Sequence, residues 1–560
     1  MTNVLAEVVD QPAESASHEA TVGEVIVRLL EHWGVAHAFG VISIHNMPIL
    51  DPLGVRGNIR FIPARGEAGG LNMADAYARV SGSLGVAFTS TGTAAGNAAG
   101  ALVEALTAGS PVLHITGQVE AEHLDRNRAY IHEAPRQMDM LKAVSKAAFR
   151  VSTPDELVAT MVEAATVALS APTGPVSIEI PVDVQAAPLS VPRTLPAIEP
   201  RVPPTSPTEI ASLAALLRQA RRPVLLLGGG ARGAETEATA LADRGVAIIT
   251  STNGRGIVPE DHAMSLGAFN CTPQVQALYD EADLLIVAGS RLRGNETWTY
   301  KLRLPKQVAV IDCDASANGR TYQNELFVHG DVRTTLAGLL AAQDALAIDE
   351  GFSAHIGELR ESMREGLRTG LGEYANLVDA AQSAIPKNAA WVRDVTISNS
   401  TWGNRYLRIG HSRAGVHAVG GGIGQGLPMA IGAALASPGG AFALTGDGGL
   451  SLCLGELATL AEEQPDVTLI LMNDLGYGVI RNIQDVEYGE RKLFSNILIP
   501  DFSAIAAAMG LRHEKISSVG DFPAALARAR SLPGAAIVEV DMVAIGPYPQ
   551  RFAGPPRLEK

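Results

Sequence analysis

Two segments carry residue types that could do chemistry together. The apolar run Ala441 to Thr445 leads into Gly446, Asp447, Gly448 and Gly449. A second apolar run, Val467 to Met472, ends at Asn473, Asp474, Leu475, Gly476, Tyr477, Gly478 and Val479. Glycines let backbone N–H groups approach a phosphate closely, and a helix start behind them favours negative charge. Two oxygen ligands at neighbouring strand ends can share one Mg2+, which completes its octahedron with phosphate and water oxygens. Leu454, Leu457, Ala458 and Ala461 stand at helical spacing between the runs, so the segment reads as strand, helix, strand. Taken alone, a strand-end turn with solvated acids would read the same way.

Three further segments bear on the choice. Glu67 opens a small-residue stretch that runs through Ala74, Asp75, Ala76, Tyr77, Ala78 and Arg79. A glycine-rich run, Gly420, Gly421, Gly422, Ile423, Gly424, Gln425 and Gly426, precedes the first acid. Upstream of it lie Ser398, Asn399, Ser400 and Thr401, a hydroxyl-bearing stretch of the kind that usually forms turns.

The elements that must position these residues are short apolar runs alternating with helical stretches. Pro111–Thr116, Pro223–Leu227, Leu284–Val287 and Val467–Met472 are examples, each bounded by turn residues, and such runs are buried parallel strands of βαβ units. The Pro-rich segment 189–204 reads as a linker. A weaker break falls near 345–370. The expectation is an α/β protein of three doubly wound parallel-sheet domains, 19–188, 205–345 and 370–560, with ligands beyond the carboxyl ends of the strands.

Composition narrows the classes. Hydrophobic residues at 47% against charged residues at 18% exclude a disordered chain, and 560 residues suffice for about three to four domains. A formal net charge of −15 argues against a nucleic-acid or anionic-membrane surface. There is no apolar run of about 18 residues for a spanning helix. Residues 1–18 lack the basic start and apolar run of a secretory signal and read as a loose tail. Cys271, Cys313 and Cys453 are scattered, which reads as a reducing, cytoplasmic setting and three small buried side chains.

The combination of segments resembles the thiamine-diphosphate enzymes of the acetolactate synthase and benzoylformate decarboxylase group. The resemblance runs over about residues 20 to 545 and implies pyrimidine-binding, middle and diphosphate-binding domains. On that match Asp447 and Asp474 ligate Mg2+ by their side chains and Gly476 by its carbonyl. Gly446, Gly448, Gly449, Tyr477, Gly478 and Val479 complete the cofactor site. Asp474 replaces the family's second Asn and adds a negative charge beside the diphosphate. Glu67 falls on the glutamate that bonds N1′ of the aminopyrimidine, so that N4′ can take the C2 proton. Ile423 falls on the apolar wedge between the two cofactor rings, Gly421 on the carbonyl that holds the 4′-amino group. Ser400 and Thr401 are candidates for the diphosphate.

The resemblance is less specific to the reaction. His45, His132 and Glu133 lie in loops that resemble the family's substrate-facing loops. Ile42-Ser43 stands where the first of these has Pro-Gly. Ser90 stands where benzoylformate decarboxylases carry a catalytic His, and Ile483 where acetolactate synthases carry a Trp. Asp485 to Pro500 reads as a polar lid or a disordered loop. Gly228–Gly233 satisfies a dinucleotide pattern, but Val246–Thr250 ends without the acid that a ribose needs, which argues against NAD, and FAD is admitted but not favoured. The expected reaction is decarboxylation of a 2-oxo acid to an enamine, then carboligation. Aldehyde release, hydrolysis of a diketone C–C bond and a non-catalytic cofactor-binding scaffold stay open. The resemblance implies at least a homodimer, commonly a homotetramer.

Overall fold

The computed structural model describes residues 19–342 and 345–552. The expected tail, 1–18, lies outside the described residues. The apolar runs form three all-parallel sheets with helices on both faces, the arrangement required when strands are buried on both sides. The first sheet has six strands in spatial order Arg60–Pro63, His37–Gly40, Gly85–Thr89, Val112–Gln118, Val176–Pro181 and Ala147–Arg150. An antiparallel pairing of Glu19–Thr21 with Pro188–Ser190 closes this block on itself. The second sheet orders Ala247–Thr250, Pro223–Leu227, Leu284–Ala288, Val308–Asp312 and Leu326–His329. The third orders Gly415–His417, Ala390–Arg393, Ala441–Gly446, Val467–Asn473, Ala536–Asp541 and Arg512–Ile516.

The polar segment after 345 is less of a break than its composition suggests. It forms the helix Phe352–Leu371, whose Phe352, Ile356 and Met363 are buried in the core of the second sheet. The cysteines also depart from expectation, since only Cys271 is buried while Cys313 and Cys453 are half-buried. Among the described residues no helix is long and apolar enough to cross a membrane.

The first and third blocks share one apolar core. Helix Glu67–Ser81 packs on helix Gly426–Ala436 so closely that a β-carbon at Gly432 would overlap the Met73 carbonyl. Beside this contact Arg79 is buried between Asp75 and Glu104 and donates to the His417 carbonyl at 2.7 Å. Glu104 in turn accepts from the amides of Val419 and Gly420, both at 2.7 Å. A buried cation with two acids and a backbone acceptor is fully committed, so it holds the glycine-rich loop against the first block.

Candidate functional site

Register brings the two acids together. Strands Ala441–Gly446 and Val467–Asn473 are neighbours with Gly446 opposite Met472, so Asp447 and Asp474 both fall just past the carboxyl ends. Asp447 starts the helix Asp447–Leu452 and is buried, and its Oδ2 accepts the Gly476 amide at 2.7 Å. Burial and the facing carboxylate of Asp474 push its pKa up to about 7. Burial raises Asp474 too, opposed by Arg481, whose Nη2 lies 2.9 Å from Asp474 Oδ2. Gly478 begins the next helix, and only glycine fits there, because a β-carbon would overlap the Asp474 carboxylate. Tyr477 lies over Gly448, where a β-carbon would come within 2.7 Å of its ring. Val479 is half-buried on the first turn of the helix Gly478–Glu487.

The glycine-rich loop is held from below by an acid that sequence reasoning gave no role. Asp394 follows strand Ala390–Arg393 and accepts the amides of Val395 at 2.7 Å and of Gly424 and Gly426 at 3.1 Å. Burial drives its pKa to about 6 against those N–H groups. Gly421 and Gly424 adopt φ of 84° and 81°, and between them Ile423 stands exposed at 37%. Such a residue is held up by its loop rather than by packing.

The hydroxyl-bearing segment forms a wide π-helical turn, Asn399–Gly403, a geometry frequent at functional sites. Ser400 is half-buried there. The Thr401 hydroxyl donates to the Ile397 carbonyl at 2.9 Å within its own turn. Tyr548 closes the turn from beneath, accepting from Trp402 Nε1 at 2.9 Å and meeting the Ser398 hydroxyl at 2.8 Å. No local signal at position 548 marks this, because the contact spans most of a domain.

In the first sheet the candidates also gather at the carboxyl end. Strand pairing aligns Gly40 with both Pro63 and Phe88, so the loops bearing His45, Glu67 and Ser90 leave the same edge. Glu67 is half-buried at the start of its helix and accepts from Asn97 Nδ2 at 3.1 Å. Glu456, from the third block, fixes that helix start by accepting the Arg65 amide at 3.1 Å. Among the described residues no hydrogen bond joins Glu67 to the loops of Asp447 and Asp474.

His45 is buried, its Nδ1 3.2 Å from Ser90 Oγ and its ring edge-on to His132 at 5.0 Å. Burial, and then the neighbouring His132, lower its pKa. The loop keeps its turn without Pro-Gly because the Ser43 amide donates to Asn46 Oδ1 at 2.8 Å. His132 has a φ of 66° in a loop that Glu133 holds together. The Glu133 carboxylate accepts the amides of Asn127, Arg128 and Tyr130 at 2.8 to 3.1 Å. Glu133 therefore orders the loop that carries His132.

The segment Asp485 to Pro500 is less uniformly polar at its surface than expected. After Glu487 it exposes apolar side chains, Phe494 at 92% and Leu498 at 96%. A cavity of about 380 Å3 opens between the strand ends of the middle block and the first block, lined by Gly229, Gly230, Ser251 and Gly289 on one side and by Arg79 and Ser110 on the other. No acid follows Thr250 there.

The third block fits a metal-bound diphosphate on its own geometry. Two facing carboxylates sit in a pocket where a β-carbon at Gly448, Gly449, Gly476 or Gly478 would overlap a neighbour, beside two helix starts. Among the described residues no group of three or more His, Cys, Asp or Glu side chains converges. The two carboxylate donors, Asp447 and Asp474, are hard oxygen ligands of the kind that Mg2+ takes together with phosphate oxygens and water. The class that this fold and site define is confirmed by comparison with known families. The chain matches the thiamine pyrophosphate enzyme N-terminal TPP binding domain over residues 20–142, the central domain over 210–339 and the C-terminal TPP binding domain over 396–540. It belongs to the thiamine pyrophosphate enzymes, and thiamine diphosphate is its cofactor.

Among curated proteins it is similar to a probable 2-ketoarginine decarboxylase of Pseudomonas aeruginosa, 33% identical over 82% of this chain and 83% of that one. It is also similar to the acetolactate synthase isozyme 1 large subunit of Escherichia coli, 30% identical over 93% of each chain. A probable acetolactate synthase large subunit of Methanocaldococcus jannaschii is 29% identical over 88% of this chain and 87% of that one.

Proposed function

We propose that the chain decarboxylates a 2-oxo acid and joins the remaining fragment to a second carbonyl compound. The observation that carries the reading is the meeting of Asp447 and Asp474 in a glycine cradle at neighbouring strand ends. Asp447, Asp474 and the Gly476 carbonyl hold Mg2+, and the amides at Gly448 and Gly449, with the Ser400 hydroxyl, hold the diphosphate. Thiamine diphosphate, when bound, supplies a carbanion for attack on the carbonyl and then an electron sink for loss of CO2. Glu67 holds a proton at the aminopyrimidine, Ile423 wedges the two cofactor rings, and the Gly421 carbonyl orients the amino group. His45, held by Ser90 and kept neutral by burial, moves a proton at the substrate end, with His132 beside it.

The competing outcome, release of an aldehyde, is favoured by the likeness to a decarboxylase. Both outcomes are redox-neutral and need no flavin. Supply of an aldehyde acceptor separates them: carboligation gives an acyloin, decarboxylation the free aldehyde.

The reading includes a homodimer or a dimer of dimers. Ile42, Ile44 and Ile131 are exposed around His45, and Leu452, Leu475 and Ile480 around the acid pair. Two apolar rims of this kind suit a second copy that brings the first block of one chain over the third block of another. Sedimentation of the active enzyme tests this, and a fully active monomer would refute it. The three free cysteines support a reducing, cytoplasmic setting.

A further inference from the structure

The second acid, Asp474, creates an electrostatic difficulty. A diphosphate is strongly anionic, and each additional carboxylate beside it costs affinity even as it attracts the metal. The structure places a cation against that acid. Arg481, on the first turn of helix Gly478–Glu487, pairs with Asp474 Oδ2 at 2.9 Å. The same guanidinium donates to the Asp474 carbonyl at 2.6 Å, the Leu475 carbonyl at 3.0 Å and Asn496 Oδ1 at 3.2 Å. Both side chains are mostly shielded, Arg481 at 18% and Asp474 at 22% exposure, so their charges are only partly screened.

The same helix grips the segment beyond it. Gln484 Nε2 donates to the Leu493 carbonyl at 2.8 Å, and Gln484 Oε1 accepts from Ser495 Oγ at 2.8 Å. The Tyr477 amide donates to the Ser495 carbonyl at 2.9 Å. The loop from Asp474 to Gly478 is thus sandwiched between Arg481 and residues 495–496. A carboxylate has two oxygens, so Asp474 can keep this pairing and still offer an oxygen to Mg2+.

We propose that Arg481 is a built-in counter-charge of the diphosphate–magnesium site, cancelling the second acid Asp474 and clasping the loop from 474 to 478 against residues 493–496. With Asp447 negative and the Asp474–Arg481 pair neutral, the protein side of the site keeps one net negative charge. The inference rests on the proposed roles of Asp447 and Asp474 and concerns how their charge is balanced.

The test is a double-mutant cycle read by calorimetric titration of the full-length protein with thiamine diphosphate at saturating Mg2+. Arg481→Gln weakens cofactor binding about tenfold, because an uncompensated acid then faces the diphosphate. Arg481→Lys retains the charge and stays within about threefold of the native protein. Asp474→Asn combined with Arg481→Gln restores the net charge and returns to within about threefold. Trypsin cleavage after Arg491 or Lys492 reads the clasp separately, and it accelerates in Arg481→Gln and in the double variant alike. Unchanged binding in Arg481→Gln, or a double variant as weak as Arg481→Gln, overturns the counter-charge. Native protein that binds no thiamine diphosphate overturns the placement of the site itself, whereas native binding with an additive cycle overturns Arg481 alone.

Discussion

At the scale of single residues, the site is a set of charges placed where water is scarce. Asp447 and Asp474 face each other; burial raises the proton affinity of both and the Asp474 charge raises that of Asp447 further, a balance that a divalent cation reverses. Asp447→Asn is therefore expected to weaken Mg2+-dependent cofactor binding by about a hundredfold, and calorimetry with and without Mg2+ checks it. Glu67 lies in another block and makes a different prediction. Glu67→Gln should abolish exchange of the cofactor's C2 proton with deuterium while leaving cofactor binding intact. Lost binding with residual exchange would contradict its role. His45→Gln should lower kcat by about 10² to 10⁴ with little effect on cofactor affinity, the range for removal of a general acid or base. A change confined to KM would assign His45 to binding instead.

At the scale of elements, the loops are held by buried acids rather than by their own composition. Asp394 gathers three amides of its own and the glycine-rich loop, and each such bond to a charged group is worth about 1.5–3 kcal/mol. Asp394→Ala should accelerate hydrogen exchange at Gly424 and Gly426 by about a hundredfold, while strands of the first sheet keep their protection. Uniform loss of protection would mean global rather than local destabilisation. Much of this level was readable in the sequence. The parallel strands show as unbroken apolar runs because both faces are buried, and the acids at 447 and 474 sit at the ends of two such runs. The parts that were not readable are contacts between distant positions. Nothing near Tyr548 announces that it closes the turn at 398–402. Nothing near Glu133 shows that three amides will claim its carboxylate. Helix Phe352–Leu371 hides its role because only one narrow face is apolar.

At the scale of the whole molecule, the first and third blocks share a core, and that core carries buried histidines. His114 is buried between Thr89 and Ser177 hydroxyls, and burial lowers its pKa to about 3. Its folded pKa lies below the unfolded value, so its contribution to stability is complete above about pH 6.5 and is lost as pH falls toward 3. Thermal unfolding followed from pH 7 to pH 4 should show a falling Tm, with a shallower fall in His114→Gln. An unchanged slope would place the acid sensitivity elsewhere, with His417 the next buried candidate.

The measurement that tests the central claim most directly uses protein reconstituted with thiamine diphosphate and Mg2+. It is given pyruvate and then other 2-oxo acids, with and without an aldehyde acceptor. Evolved CO2 is followed and products are identified by mass. The account predicts CO2 release from at least one acid and an acyloin when the acceptor is present. Free aldehyde in place of acyloin would make the chain a decarboxylase, and no CO2 from any acid despite bound cofactor would contradict the account.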